Sequence, residues 1–379
     1  MNVIYMDNAA TSWPKPEAVY QAVDHFNRKM GANPGRGSNH KTLEAGRVLL
    51  ETREALAELF NVKDSSRIVF TANVTESLNL GLKGFLNPGD HVVISGMEHN
   101  AVARPLNTLE NYGVQVSVVP CDAEGSLDPH DLELVLRDNT RMVCMLHASN
   151  VTGTIMPVAE VSRIAHQHGA VFMVDAAQTA GVLPIDVEAQ AIDMLAFTGH
   201  KGLMGPQGTG GLYIRPDLDI RPLKEGGTGS LSEHVYQPGF MPDKFESGTP
   251  NTPGIAGLGA GVRFIMETGI ERIRHHEQEL TDRLISGLKE IKGVSLYGPG
   301  DSRRQTAVVS FNITGMDCGE VSLLLDQKYG IVTRSGLHCA PMAHQTVGTL
   351  KKGTCRLSPG FLNTREDIDA VIQAVYELA

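Results

Sequence analysis

A cysteine in a turn-rich segment is the first residue of this sequence whose type and position suggest chemistry. Cys339 stands in "RSGLHCAP", residues 334–341, after His338 and between Gly336 and Pro341. Glycine and proline are typical of loops, whereas an unreactive cysteine is usually buried in a core strand or helix. Spacing alone favours a buried structural cysteine, and a loop nucleophile is the alternative.

Other reactive side chains follow apolar runs that are typical of buried strands. Lys201 comes after "IDMLAFTG", and Asp175 and Gln178 lie at the end of "AVFMVDAAQ". His99 follows "HVVISG", and Thr75 follows "RIVFTA" at the start of a helical pattern. In open α/β sheets, ligands bind at the carboxyl ends of the strands. We therefore expect these side chains to gather at one edge of a sheet.

Together these residue types fit one cofactor, pyridoxal phosphate. Its aldehyde needs a lysine amine to form an imine, and its pyridine nitrogen needs a carboxylate partner to stay protonated. Lys201 and Asp175 supply these groups, His99 can stack on the ring, and Thr75 can hold the phosphate at a helix N-terminus. Each residue also has an ordinary interpretation as a surface lysine, a capping aspartate or threonine, or a loop histidine. Those interpretations explain single residues better than the whole set.

The elements that must position these residues follow a strand–helix alternation. Short apolar runs are separated by segments with helical spacing: "TESLNLGLKGFL", "NAVARPLNTLENYG", "DPHDLELVLRD" and "PVAEVSRIAHQHG". This alternation predicts an α/β fold with a mostly parallel sheet. From about residue 255 the pattern changes to one long helical segment, a strand in "TAVVSFNI" and an amphipathic C-terminal helix. We predict a large domain over 15–254 and a smaller α+β domain built from 1–14 and 255–379.

Composition excludes several classes of protein. The chain has 379 residues, of which 41% are hydrophobic and 20% charged, and a formal net charge of −10. An excess of acid without a basic stripe argues against nucleic-acid binding, and no run approaches the ~18 apolar residues of a membrane span. The start, "MNVIYMDNAA", lacks the pattern of a signal peptide, so a cytoplasmic location is expected. Five cysteines without C-x-x-C spacing favour neither disulfides nor a metal site.

The sequence resembles the cysteine desulfurases of the class-V aminotransferase family, including the branch that contains selenocysteine lyases. These are fold-type I pyridoxal phosphate enzymes, which implies a large mixed-sheet domain and a smaller domain that carries the Cys339 loop. The resemblance runs nearly end to end through motifs in the same order: "YMDNAATSWPKP", "MEHN", "HASNVTGT", "VDAAQ", "TGHKGLMGPQGTGGLYIR", "FESGTPNTPGI", "RSGLHCA" and "CRLSPGFLN".

The resemblance implies a role for each residue around the cofactor ring. Lys201 would form the imine, Asp175 would pair with the pyridine nitrogen, and Gln178 would donate to the phenolic oxygen. His99 would stack on the ring. Either Lys201 or His99 would move the α-proton of the substrate.

The resemblance also implies how the phosphate is held. Thr75, Thr198 and His200 would bind it from one subunit, and Thr249 would reach it from the neighbouring subunit. A homodimer is therefore expected.

The implied substrate is L-cysteine, with its carboxylate held by Asn150 and Arg356. Arginine suits this task because its planar fork binds a carboxylate through two parallel hydrogen bonds, although an ordinary salt bridge is the alternative for Arg356. The resemblance makes Cys339 the nucleophile that takes the sulfur as a persulfide, with release of L-alanine and later transfer to an unidentified acceptor protein. The positive charge of Arg334, or of a protonated His338, would favour its thiolate. L-selenocysteine is a second possible substrate.

Two other classes of function remain open from the sequence. A pyridoxal phosphate enzyme of different chemistry, such as an aminotransferase or a kynureninase-like lyase, would need Lys201 and Asp175 but not Cys339. A non-catalytic binding or scaffold protein would keep the fold and lose the cofactor. An absorbance spectrum distinguishes the scaffold from an enzyme, and release of alanine and sulfide from cysteine identifies a desulfurase.

Overall fold

The fold is built around a seven-stranded sheet in the computed structural model, which describes residues 3–35 and 39–379. The strands are β1 (Ile4–Tyr5), β2 (Ile68–Thr71), β3 (His91–Ser95), β4 (Gln115–Val119), β5 (Thr140–Leu146), β6 (Val171–Asp175), β7 (Met194–Thr198), β8 (Gly210–Ile214), β9 (Val294–Tyr297), β10 (Val309–Ile313), β11 (Ile331–Val332), β12 (Arg334–Gly336) and β13 (Thr354–Leu357). The helices are α1 (Glu17–His25), α2 (His40–Leu59), α3 (Val74–Phe85), α4 (Asn100–Glu110), α5 (Pro129–Glu133), α6 (Val158–Gln167), α7 (Thr252–Thr268), α8 (Ile270–Lys289), α9 (Cys318–Tyr329), α10 (Pro341–Thr346) and α11 (Arg365–Leu378).

The seven-stranded sheet has the order β2-β8-β7-β6-β5-β3-β4. Pairings from β7 through β4 are parallel, whereas β8 is antiparallel to both of its neighbours. Every residue of β3, β6, β7 and β8 is buried, as expected when helices cover both faces of a sheet. The predicted α/β fold with a mostly parallel mixed sheet is confirmed.

The antiparallel strand β8 was not predicted from the sequence, because it begins with two glycines. Glycine weakens a strand unless close packing requires it. A Cβ atom on Gly210 would lie 2.8 Å from the backbone of Asn73, and one on Gly211 would lie 2.8 Å from the carbonyl oxygen of Val69. The glycines are therefore explained by packing that is invisible in the local pattern.

A second sheet, with the order β12-β13-β10-β9, is antiparallel and packs with α8, α9 and α11 around its own apolar core. The N-terminal strand β1 pairs in parallel with β11 of this part of the chain. The long helical segment predicted after residue 255 is two helices, because Gly269 has a φ of 86° and separates α7 from α8. Helix α7 packs against α1 and α2. The division at 254/255 stays a prediction, and Met1 and Asn2 of its N-terminal segment lie outside the described residues.

Within the two described ranges, no helix is long and apolar enough to cross a membrane.

Candidate active site

Most of the predicted ring and substrate residues line one cavity at the carboxyl edge of the large sheet. Its walls are formed by the last residues of β5 and β6, by residues that follow β3, β5, β6 and β7, and by the first turn of α3: Val74, His99, Leu146, Ala148, Asn150, Asp175, Ala177, Gln178 and Lys201.

Lys201 and Asp175 are oppositely charged neighbours in this cavity, and each shifts the pKa of the other. Lys201 lies in the turn after β7, and Asp175 is the last residue of the neighbouring strand β6. Burial lowers the pKa of Lys201 to about 8, although the Asp175 carboxylate opposes the shift. Burial raises the pKa of Asp175, opposed by a 2.9 Å hydrogen bond from the N–H of Ala177 and by Lys201. An amine with this pKa has an accessible neutral form, which imine formation requires.

His99 caps the N-terminus of α4. Its Nδ1 accepts a 3.0 Å hydrogen bond from the N–H of Ala101, so the proton of the neutral ring lies on Nε2. Burial, with the positive charge of Lys201, lowers the pKa of His99 to about 4. His99 is therefore uncharged near neutral pH. Of the two candidates for the proton transfer, Lys201 is the stronger base.

Three of the four predicted phosphate residues, Thr75, Thr198 and His200, lie close to the same edge of the sheet. Thr75 is exposed in the first turn of α3, and Thr198 is buried at the end of β7. The Nδ1 atom of His200 is buried and has no hydrogen-bond partner among the described residues. Burial lowers the pKa of His200 to about 4. The orphaned nitrogen and the free N–H groups of a helix N-terminus provide donors for an anion.

The donor set therefore fits pyridoxal phosphate. An amine and a buried carboxylate lie in one cavity with a flat neutral imidazole, and anion donors flank it. Gln178, predicted to donate to the phenolic oxygen, instead donates from Nε2 to the carbonyl of Ala9 at 3.1 Å. The Gln178 amide has a second N–H, which could donate to the phenolic oxygen of the cofactor. No group of three or more His, Cys, Asp or Glu side chains suited to a metal ion occurs in the described part of the chain.

Asn150 lines this cavity and contacts Arg356, and both residues are buried. The Nη1 of Arg356 donates to the backbone carbonyl of Asn150 at 3.0 Å, and its Nη2 donates to Asp7 Oδ1 at 2.7 Å. The Nε of Arg356 is buried without a partner among the described residues. Because a guanidinium has five N–H donors, this arrangement leaves donors for a carboxylate. Sequence reasoning missed Asp7, whose only signal was its place in the "YMDNAAT" motif.

The Cys339 loop is held against the cavity by its backbone. The N–H of Asn100, next to His99, donates to the carbonyl of Cys339 at 2.9 Å, and the Asn150 side chain donates to the carbonyl of His338 at 2.7 Å. The Cys339 side chain is exposed. His338 and Cys339 have φ values of 48° and 57°, which is unusual for residues other than glycine. Such strain is typical of functional sites and supports a working rather than a structural cysteine.

The expectation that a protonated His338 favours the Cys339 thiolate is wrong. His338 is buried, and its Nε2 lies 3.0 Å from the hydroxyl of Thr354. Burial and the nearby Arg356 guanidinium lower the pKa of His338 to about 2. The residue is neutral and fixes the loop.

Glu98 is a buried acid that sequence reasoning passed over within "MEHN". Its Oε1 accepts hydrogen bonds from the Ser95 hydroxyl at 2.6 Å and the N–H of Leu146 at 3.1 Å. Burial raises its pKa to about 8, and the negative charge of Asp175 adds to the shift. Glu98 is therefore protonated at neutral pH, and it ties the ends of β3 and β5 together beside His99.

We expect Glu98→Gln to reduce the pH dependence of stability. The folded pKa of Glu98 lies above its unfolded value, so its contribution is complete at low pH and is lost as the pH rises from about 4.5 to about 8. Glutamine stays neutral throughout. Between pH 5 and pH 8.5, wild type should lose on the order of 3 kcal/mol more unfolding free energy than the variant. Urea denaturation of the cofactor-loaded protein measures this, with the exposed Glu110→Gln as control; equal losses in wild type and Glu98→Gln would contradict the assignment.

Thr249 lies outside the cavity that contains Lys201. It is exposed before α7, lines a separate cleft, and accepts a 3.5 Å hydrogen bond from Asn33. That cleft is also lined by Ala72 and Glu76, on either side of Thr75, and it does not include Lys201.

Comparison with known proteins places this arrangement in a family. Residues 4–371 match Aminotransferase class-V. The chain is 39% identical to a probable cysteine desulfurase of Methanothermobacter thermautotrophicus, covering 99% of this chain and 94% of the relative. It is 35% identical to a cysteine desulfurase of Yersinia pseudotuberculosis, covering 99% and 93%.

Solved structures agree with these relatives. The apo structure of a cysteine desulfurase from Thermococcus onnurineus superposes with a TM-score of 0.94 at 37% identity, covering 99% of this chain and 94% of that one. A cysteine desulfurase from Escherichia coli, in an S-sulfonic acid form, gives a TM-score of 0.89 at 31% identity, covering 99% and 94%. The chain therefore belongs to the class-V aminotransferase family of pyridoxal phosphate-dependent enzymes, and the relatives it resembles over its full length are cysteine desulfurases.

Proposed function

We propose that this protein is a pyridoxal phosphate-dependent cysteine desulfurase, which converts L-cysteine to L-alanine and receives the sulfur on Cys339. The observation that carries the proposal is the Cys339 loop, whose backbone is hydrogen-bonded to Asn100 and Asn150 at the cavity of Lys201 and Asp175. The full-length similarity to cysteine desulfurases supports it. An aminotransferase would not need a cysteine in this position.

The roles follow from the chemistry of each side chain. When bound, pyridoxal phosphate supplies an electron sink that makes the α-proton of the amino acid removable. Arg356 and Asn150 orient the substrate carboxylate, and Asp175 keeps a positive charge on the ring nitrogen. The Lys201 amine takes the α-proton, for which its pKa of about 8 is well matched near neutral pH.

Sulfur transfer requires an attack by the Cys339 thiolate on the sulfur of the substrate. An S–S bond forms as the Cβ–S bond breaks, and the electron pair of the broken bond is used to bind a proton at Cβ. Alanine leaves, and Cys339 keeps the sulfur as a persulfide. Its exposed side chain lets an acceptor protein collect the sulfur.

The test is an assay of the purified, cofactor-loaded protein with L-cysteine. We expect equal amounts of alanine and, with a thiol reductant, sulfide. A keto acid formed only when an amino acceptor is added, with no release of sulfide, would indicate an aminotransferase. Protein that binds no pyridoxal phosphate would indicate a scaffold.

Selenocysteine is a second proposed substrate, because the selenol is more acidic than a thiol and leaves more readily.

The compartment that suits this chemistry is the reducing cytoplasm, where thiols stay free. All five cysteines are unpaired in the structure.

We also propose a homodimer with a shared site, as the family resemblance of "FESGTPNT" implies; within its own chain, Thr249 lines a cleft that does not include Lys201. Thr249→Ala should weaken phosphate binding and lower activity about tenfold at limiting cofactor, through loss of a hydrogen bond to a charged group. Hybrid dimers provide the decisive measurement. A dimer of one Lys201→Ala and one Thr249→Ala chain should contain one wild-type site and regain about half of the wild-type activity per dimer. If each site were built from one chain, the hybrid would contain one inactive site and one Thr249→Ala site, and would show about half of the Thr249→Ala activity per dimer.

A further inference from the structure

Asp7 is the only carboxylate hydrogen-bonded to Arg356 in the described part of the chain. Arg356 is 2% exposed, so its charge needs a nearby counterion. Asp7 Oδ1 lies 2.7 Å from Arg356 Nη2, and Asp7 Oδ2 lies 3.0 Å from Nε of Arg334. Asp7 therefore bridges two guanidinium groups.

The Asp7 carboxylate reduces the electrostatic repulsion between these two arginines. Arg334 and Arg356 are directly opposed across the antiparallel pair β12–β13, where like charges are destabilising. The side chain of Arg334 is 50% exposed and that of Arg356 only 2%, so the buried member depends more on Asp7. Two guanidinium charges and one carboxylate leave a net charge of +1, which one substrate carboxylate would neutralise.

Asp7 also connects the charge cluster, which consists of Asp7, Arg334 and Arg356, to the cavity wall. Its backbone carbonyl accepts from Ala10 and Thr11, forming a turn, and the carbonyl of Ala9 in that turn receives the Gln178 side chain. A purely structural role as the anchor of this turn is the competing explanation. The two roles differ in what they predict for a ligand that has no carboxylate.

We propose that Asp7 is a positioning residue for the substrate carboxylate. Asp7 fixes the Arg356 guanidinium by accepting a hydrogen bond from Nη2, and it leaves the unpartnered Nε–H of Arg356 available to the substrate carboxylate. Asp7 also pairs with Arg334, so that the three side chains together retain one positive charge. The proposal rests on the function proposed above, because it assumes an amino-acid substrate at this cavity. It assigns to Asp7 the selection of ligands that carry a carboxylate over simple amines.

The test compares two ligands of the cofactor-loaded protein by calorimetry and by the change in its absorbance. L-alanine has the amine and carboxylate of the reaction product, and ethylamine has the amine alone. Asp7→Asn should weaken L-alanine binding about tenfold or more and change ethylamine binding little, because the loss of the ion pair that fixes the Arg356 guanidinium outweighs the gain of positive charge in the cluster. Asp193→Asn is the matched control, since Asp193 is also buried and pairs with Arg215 at 2.6 Å, at the opposite end of β7. It should affect neither ligand.

The half-exposed Arg334 provides a second variant that is independent of the folding of the Asp7 turn. Arg334→Gln leaves Arg356 and Asp7 as a neutral pair, so L-alanine should bind about threefold or more weakly, with ethylamine unchanged. Equal weakening of both ligands, or unchanged L-alanine affinity in Asp7→Asn and Arg334→Gln, would overturn the proposal and leave the desulfurase function intact. Wild-type protein that binds L-alanine no better than ethylamine would contradict the proposed function as well.

Discussion

Lys201→Ala should abolish alanine formation from L-cysteine, with a loss of at least about a thousandfold. The variant removes the amine that we propose forms the imine and also takes the α-proton. Lys201 is the sole lysine lining the cavity that holds Asp175 and His99 within the described ranges. Pyridoxal phosphate should still bind through its phosphate and through Asp175, but it should wash out on dialysis. Borohydride reduction followed by peptide mapping should find the cofactor on Lys201 in wild type and on no residue in the variant.

Lys15 provides a matched control for this prediction. Burial also lowers its pKa to about 8, but its Nζ donates to the Ser12 hydroxyl and the His200 carbonyl, each at 2.8 Å. A reactive pKa alone is therefore not enough, and Lys15→Ala should keep the cofactor attached to Lys201. Cofactor trapped on Lys15 in wild type, or turnover that survives in Lys201→Ala, would exclude the assigned role.

Cys339→Ala should separate the sulfur reaction from the selenium reaction. A thiol is a poor leaving group, so sulfur transfer depends on attack by a positioned thiolate, whereas selenium departs with less help. The variant should keep its cofactor spectrum and bind cysteine, lose more than about 99% of its alanine production from cysteine, and retain substantial activity on selenocysteine. Parallel assays of alanine from both substrates measure this difference.

The half-buried Cys121 is the control for a general effect of removing a thiol. Burial raises its pKa to about 12, so it is protonated near neutral pH, and Cys121→Ala should keep both activities. Undiminished cysteine turnover in Cys339→Ala would rule out the nucleophile. Loss of both activities in folded, cofactor-loaded protein would show that Cys339 serves selenium release as well.

Local sequence pattern was sufficient for the elements that carry the ring-binding residues. The runs ending near His99, Asp175 and Lys201 are strongly apolar because β3, β6 and β7 are buried on both faces. Parallel strands then bring their following residues to one edge. For this reason the cavity could be predicted from residue types and positions alone.

The remaining features depend on contacts between distant parts of the chain. Asp7 and Arg356 are 349 positions apart, and the Asn150 side chain holds a carbonyl 188 positions away. Contacts between residues so far apart cannot be predicted from the local periodicity of the sequence. The neutral state of His338 likewise follows from burial in the tertiary structure, since its sequence position beside Cys339 suggested a charged group.

A single-turnover experiment tests the central claim most directly. Reduced, cofactor-loaded wild type is mixed with less than one equivalent of L-cysteine, and alanine is measured together with the masses of the cysteine-containing peptides. We predict one added sulfur atom on the Cys339 peptide for each alanine formed, and none on the peptides of the other four cysteines: Cys121, Cys144, Cys318 and Cys355. Alanine formed without a persulfide on Cys339, or with the sulfur on another cysteine, would contradict the account.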